Sequence, residues 1–198
     1  MTVFINNSTD EPFVRFKAKY DLAKENNQDM IEAISISSYD HEKKEVDSRF
    51  VNLKFVDNKH FIFFTNYNSP KAKQFSLNNN ISALIYWSKI NTQIRIKANI
   101  NKTSNSFNQE YFYNRSKEKN ALSISSNQSM PINSYDDVVN NFNKVLEKNN
   151  LLECPSYWGG FSFEPYELEI WEGRKYRINN RVLFRLVNDS WQKSFIQP

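Results

Sequence analysis

Extended segments follow one another along this chain with short polar turns between them, and this order constrains the fold more than any other feature. Ile81 to Trp87 and Thr92 to Asn101 read as one antiparallel pair. Ser48 to Val56 and His60 to Asn66 read as another, joined at Asp57-Asn58. Ile31, Ala33, Ile34, Ile36 and Ser38 mark a strand before the polar turn Asp40 to Glu45. Three more strands close the chain, at about Phe161 to Trp171, Lys175 to Leu186 and Ser190 to Phe195. Helical signals fall between groups of strands. Ser8-Thr9-Asp10-Glu11 resembles a capping box with Pro12 in the first turn, and Phe13, Phe16, Tyr20 and Ala23 recur at helical spacing to about Asn26. Ser69 caps a short helix with Pro70 at its first position, and Ser104 or Asn105 opens another through Arg115. Ser116 to Pro131 reads as a polar loop. Ser134 opens a last helix whose apolar face is Val138, Val139, Phe142, Val145 and Leu146. A doubly wound parallel sheet would need regular strand–helix alternation. Roughly six to eight strands with three or four peripheral helices instead imply a mainly β, α+β fold, a single antiparallel barrel.

Composition narrows the function classes. Aromatics make up 15% of the 198 residues, too many for a disordered chain. The net charge of +4 is spread without a lysine or arginine block, which argues against nucleic acid. The single cysteine, Cys154, excludes an internal disulfide and suggests a reducing compartment; with two histidines it makes a structural zinc site improbable. No apolar run approaches the ~20 residues of a membrane helix, and the first residues lack the basic region of a signal peptide, so the expected location is cytoplasmic.

All three glycines lie in the C-terminal region, in Trp158-Gly159-Gly160 and Trp171-Glu172-Gly173, just before Arg177-Ile178-Asn179-Asn180-Arg181. Glycine permits backbone conformations or close approaches closed to other residues, and arginine forks bind phosphate or carboxylate. As a strand, Arg177 to Arg181 would point Arg177, Asn179 and Arg181 to one side. That side is either an anion- and ring-binding surface or a hairpin with solvated arginines.

These motifs resemble the pyridoxamine (pyridoxine) 5'-phosphate oxidase family. The resemblance rests on Pro155-Ser156-Tyr157-Trp158-Gly159-Gly160-Phe161, Glu169-Ile170-Trp171-Glu172-Gly173, Arg177 to Arg181, Trp191 and Pro198. It continues upstream in Arg49-Phe50-Val51-Asn52-Leu53-Lys54, Phe63-Phe64-Thr65-Asn66, Ser69-Pro70-Lys71-Ala72, Gln93, Tyr111-Phe112 with Arg115, and Gln128-Ser129. It implies a split β-barrel domain over residues 10–198 behind a short arm, 1–9, and a homodimer with FMN at the subunit interface.

The resemblance assigns FMN to the run Arg49 to Lys54 and to Phe64, Thr65, Lys71, Gln93, Gln128, Ser129, Trp171 and Arg181. Arg49 and Lys71 would hold the FMN phosphate, aided by Thr65, Ser129 and the N-terminus of the helix after Ser69. Lys54, Tyr111, Arg115 and Lys119 would grip a substrate phosphate. Arg177 and Asn179 would act at the substrate ring. The implied reaction oxidises pyridoxamine or pyridoxine 5'-phosphate to pyridoxal 5'-phosphate, with O2 as acceptor and H2O2 as product. The chain departs from the family at Asn179, where a histidine is usual, at Asn180 for aspartate, Lys119 for serine and Pro70 for arginine. Those departures motivate two alternatives: a related flavin oxidase acting on another aromatic substrate, of the phenazine-forming type, or a non-catalytic binder of FMN or pyridoxal phosphate.

Overall fold

The structure, a computed structural model, describes residues 1–147 and 150–198. One long strand organises it. Strand β8, Trp158–Glu172, pairs along one edge with β7, Thr92–Lys102. Its other edge is divided: residues 158–163 pair with β5, His60–Asn66, and residues 167–172 pair with β9, Asn180–Val187. Pro165 sits in the interval between the two partners and lacks a donor, so it sacrifices no ladder bond on that edge. The sheet therefore splits at β8, with β10, Ser190–Phe195, completing the β9 side.

On the other side, β7 pairs with β6, Asn80–Trp87, then β6 with β2, Ala33–Asp40, and β2 with β3, Glu45–Asn52. Burial alternates along β6 and β7, as period-two segments with one face inward require. The enclosed core stacks Phe61 on Phe163 at 5.2 Å, with Phe16, Phe63, Trp87, Ile34, Ile36, Ile94 and Ile96 around them. Helix α1, Glu11–Glu25, covers the barrel through Phe13, Phe16, Tyr20 and Ala23, as its spacing predicts. The buried Trp87 indole donates to the Ile31 carbonyl at 3.1 Å.

The mainly β, α+β expectation holds, with corrections. Val3–Ile5 forms a strand, β1, that pairs in parallel with β4, Phe55–Asp57, so the sheet is not wholly antiparallel. Thr2 anchors this arm, donating from its backbone N to the Tyr20 hydroxyl and from its Oγ1 to the Leu53 carbonyl, both at 2.9 Å. The expected strand Ser48 to Val56 is two strands. At Leu53 and Lys54 the backbone changes partners, donating first to Glu32 and then to Ile62. Ser116 to Pro131 is not all loop: Ser116 caps helix α4, Lys117–Ser125, and the buried Asn120 amide ties it to the Phe112 and Leu151 carbonyls. Asp10, not Ser8, is the N-cap of α1, and Glu11 pairs with Arg15 and Lys193 instead of closing a capping box. The remaining helices are α2, Pro70–Leu77; α3, Asn105–Tyr113; and α5, Tyr135–Leu146.

None of the glycines has a positive φ; close approach explains them. A Cβ on Gly159 would collide with the Tyr67 hydroxyl and the Asn108 amide, and one on Gly160 would lie 2.5 Å from Thr103 Oγ1. Tyr67 donates to the Gly160 carbonyl and accepts from Asn108, whose Oδ1 accepts from the Gly160 N–H. Gly159→Ala should break this network and cost about 1–3 kcal/mol; an unchanged denaturant midpoint would refute the close-approach reading.

Candidate functional site

The divided edge of β8 leaves a cleft of about 470 Å³ beside the junction of β3, β5, α3 and α4. Phe50, Val51, Asn52, Lys54, Phe64, Thr65, Lys71, Tyr111, Arg115, Lys119 and Gln128 line it, so the structure brings eleven sequence-predicted residues together. They come from segments as far apart as Phe50 and Gln128, and only the pairing of β4 with β5 and the packing of α3 and α4 join them.

Two cationic groups occupy the cleft. In the first, the Lys71 side chain is 6% exposed, near the N-terminus of α2. Its Nζ reaches only two hydroxyls, Thr65 and Ser69, each at 3.4 Å, and no carboxylate pairs with it among the described residues. Burial, reinforced by the Arg49 charge, pushes its pKa down to about 8. A buried cation without a counter-charge fits an arriving anion. Arg49 stands behind it, donating to Ser38 Oγ at 2.6 Å and Gln74 Oε1 at 2.9 Å, with Asp47 at 3.6 Å.

In the second group, burial pushes the Lys54 pKa down; Glu32, 3.9 Å away, opposes this, while Lys119 and Arg115 add to it. Arg115 lies over the Trp158 ring at 4.4 Å and donates to Ser123 Oγ and the Lys119 carbonyl. Burial lowers its pKa as well. Three cations share this end of the cleft against one carboxylate, and Tyr111, whose pKa burial raises, adds a neutral hydroxyl. In the same cleft, Tyr111 stacks on Phe64 at 3.8 Å and Phe64 on Trp158 at 5.2 Å.

Gln128 Oε1 accepts from Thr65 Oγ1 at 2.8 Å and from the Asn66 N–H at 3.2 Å, which ties the loop after α4 to β5. Ser129, at φ 67°, lines an adjoining pocket instead of this cleft. Leu53 does not line the cleft: its side chain is core, its N–H donates to Glu32 and its carbonyl accepts from Thr2. Sequence reasoning left out Asn66, Ser123, Ser126 and Trp158, which also line the cleft. Asn66 and Trp158 stood inside recognised motifs; Ser123 and Ser126 carried no signal, because their segment read as loop.

The other predicted residues lie elsewhere. Gln93, Trp171 and Arg181 stand in register across β7, β8 and β9, so they share one face. Arg181 Nε donates to the buried Glu169 at 2.8 Å, and Arg95 pairs with the same carboxylate at 3.2 Å. Thr65 is opposite Gly159, twelve residues before Trp171 on β8. None of Gln93, Trp171 and Arg181 lines the cleft.

Arg177 and Asn179 lie in the turn before β9, and the expected strand through Arg177 is absent. Lys175–Arg177 is a 3-10 turn in which Tyr176 and Arg177 have φ of 57° and 61°. Two successive non-glycine residues in the left-handed region cost about 1–2 kcal/mol each. Arg177 is exposed, so of the two readings left open by the sequence, the chain alone shows solvated arginine at this position.

A family profile described as "Pyridoxine 5'-phosphate oxidase C-terminal dimerisation region" matches residues 158–198. The chain is similar to the "Pyridoxine/pyridoxamine 5'-phosphate oxidase" of Leptospira biflexa, 32% identical over 191 residues and covering 95% of this chain and 89% of that one. It is equally similar to the protein of that name from Vesicomyosocius okutanii, 32% identical over 197 residues, with 97% and 92% covered. In fold it resembles PhzG from Burkholderia lata, solved with tetrahydrophenazine-1-carboxylic acid, at TM-score 0.90 and 23% identity over 96% of this chain and 93% of that one.

Lys71 makes the apo protein's stability pH-dependent in a defined direction. Its folded pKa is below the unfolded value near 10.4, so the unfolded state holds more protons between about pH 8 and 10.4, and stability rises with pH there. Lys71→Met should therefore stabilise the apo protein at pH 7, with the advantage shrinking across that window. Parallel unfolding curves for the two proteins from pH 7 to 10 would refute the assignment.

Proposed function

The chain belongs to the pyridoxine/pyridoxamine 5'-phosphate oxidase family, and from that premise we propose that it is an FMN-dependent oxidase of pyridoxine or pyridoxamine 5'-phosphate. The observation that carries this reading is the buried Lys71 cation, without a counter-charge, facing the same cleft as a separate Lys54–Arg115–Lys119 cluster. Two cationic groups in one aromatic-lined cleft suit a phosphorylated flavin and a phosphorylated ring substrate. FMN fits the Lys71 end: a buried ammonium, the Thr65 hydroxyl and the N-terminal end of α2 offer a phosphate cationic and donor partners. When bound, FMN supplies hydride acceptance from the substrate and reoxidation by O2 to give H2O2.

The protein's residues then divide by role. Lys71 and Arg49 neutralise the FMN phosphate, and Gln128 braces the adjoining loop against β5. Lys54, Arg115 and Lys119 bind the substrate phosphate, with Tyr111 beside them. Phe64, Tyr111 and Trp158 exclude water from one wall. Arg177 orients the substrate ring.

The row Gln93–Trp171–Arg181 lines no part of the cleft that holds Lys71 in the same protomer. A C2 dimer supplies it from the second copy, with each cleft completed by the partner's β8–β9 end. The match of residues 158–198 to a dimerisation region supports that arrangement.

Two experiments test this reading. Protein loaded with FMN should lose its oxidised-flavin band when pyridoxine 5'-phosphate is added without oxygen, and regain it in air. A band that stays unchanged overturns the substrate assignment and favours another aromatic substrate or a binding role. Mixing Lys71→Met and Arg177→Ala chains, each strongly impaired but still measurable alone, should restore about a quarter of wild-type activity, because half the dimers are mixed and each has one intact site. No recovery after confirmed subunit exchange would place both groups in one protomer.

A further inference from the structure

We propose that Asn179 is a positioning residue, whose side-chain carbonyl closes the loop that presents Arg177. This rests on the function proposed above only for its kinetic consequence. The Arg177 guanidinium has no hydrogen bond or ion pair among the described residues, so the loop backbone alone determines where it points. That backbone is in an unfavourable conformation, with Tyr176 and Arg177 both at positive φ. Packing within its own chain does not hold it, because Tyr176 and Ile178 are 91% and 70% exposed there.

Gly173 N donates to the Asn91 carbonyl at 3.0 Å and fixes the loop's entry; two hydrogen bonds lie within the loop itself. Ile178 N donates to the Lys175 carbonyl at 3.3 Å, and Arg174 N donates to Asn179 Oδ1 at 3.1 Å. The second is the one side-chain bond to the loop backbone among the described residues, and it joins the loop's second residue to its last. Neighbouring contacts hold the base in place: Asn180 Nδ2 donates to Glu172 Oε2 at 2.7 Å, and Lys19 pairs with the same carboxylate from α1. Short amide side chains suit such bridges because their oxygen can replace a backbone acceptor. Asn179 therefore acts on the substrate through Arg177.

The alternative is direct contact between Asn179 and the substrate, and the two roles predict opposite rankings of variants. Asn179→Ala removes the acceptor; Asn179→Asp keeps it and adds a negative charge. In the FMN-loaded protein, Asn179→Ala should lower kcat with flavin retained and substrate KM little changed, and Asn179→Asp should rank above it. Asn179→Ala should have no further effect on kcat in an Arg177→Ala background. Amide exchange of Arg174 should quicken about fivefold in Asn179→Ala, the factor expected for one exposed hydrogen bond, and stay slow in Asn179→Asp. Unchanged exchange in Asn179→Ala overturns the proposal. So does Asn179→Asp ranking below Asn179→Ala with raised KM, as repulsion from a substrate phosphate would produce. If wild-type protein oxidises neither vitamin phosphate, the proposed function fails, and the exchange measurement still decides the role of Asn179.

Discussion

The pairing of β8 with three partners is the constraint on which the rest of this structure depends. A strand has two edges, and β8 gives one wholly to β7 while dividing the other between β5 and β9. Every feature of the site follows from that division. Closing against β5 brings Thr65 and Lys71 to the mouth of a cleft; closing against β9 carries Trp171, Arg181 and the Arg177 turn to the opposite end. The close approach of Tyr67 and Asn108 to Gly159 and Gly160 locks the first half, and the Arg95–Glu169–Arg181 cluster ties the second.

Charge placement follows a different logic from packing. Burying Lys71 without a carboxylate is unfavourable in the isolated chain, and so is crowding Lys54 with Arg115 and Lys119. A fold selected for stability alone would pair or expose these groups. The proposed anion sites rest on their retention inside a cleft lined by stacked aromatics, where an arriving phosphate would replace the missing counter-charge. Glu169 and Glu172, by contrast, are fully engaged by arginine, lysine and asparagine, and they act as structural joints.

Much of this was legible in sequence where local pattern and tertiary role agree. Phe13, Phe16, Tyr20 and Ala23 gave the buried face of α1, and the segments Ile81 to Trp87 and Thr92 to Asn101 gave the antiparallel pair β6–β7. Legibility failed where a local rule was overridden. Ser116 to Pro131 is polar, yet part of it is helical, because Asn120 is buried and bonded to two carbonyls from other segments. Lys175 to Arg177 has strand-compatible residues, yet it turns with two left-handed residues. The glycines were read for conformational freedom or close approach, and close approach is what the structure uses.

By itself the sequence determined the fold class, the run of cationic and hydroxyl residues available to bind phosphate, and the motifs that mark the family. These are properties of residue type, order and period, which local chemistry dictates. Only the tertiary structure decided which of those residues meet. Lys71 and Lys119 converge on one cleft, while Trp171 on β8 and its partner Arg181 on β9 stand twelve residues along from the Thr65–Gly159 pair that borders it. Register and strand partnership set that distance. Both depend on long-range pairing that no local pattern encodes.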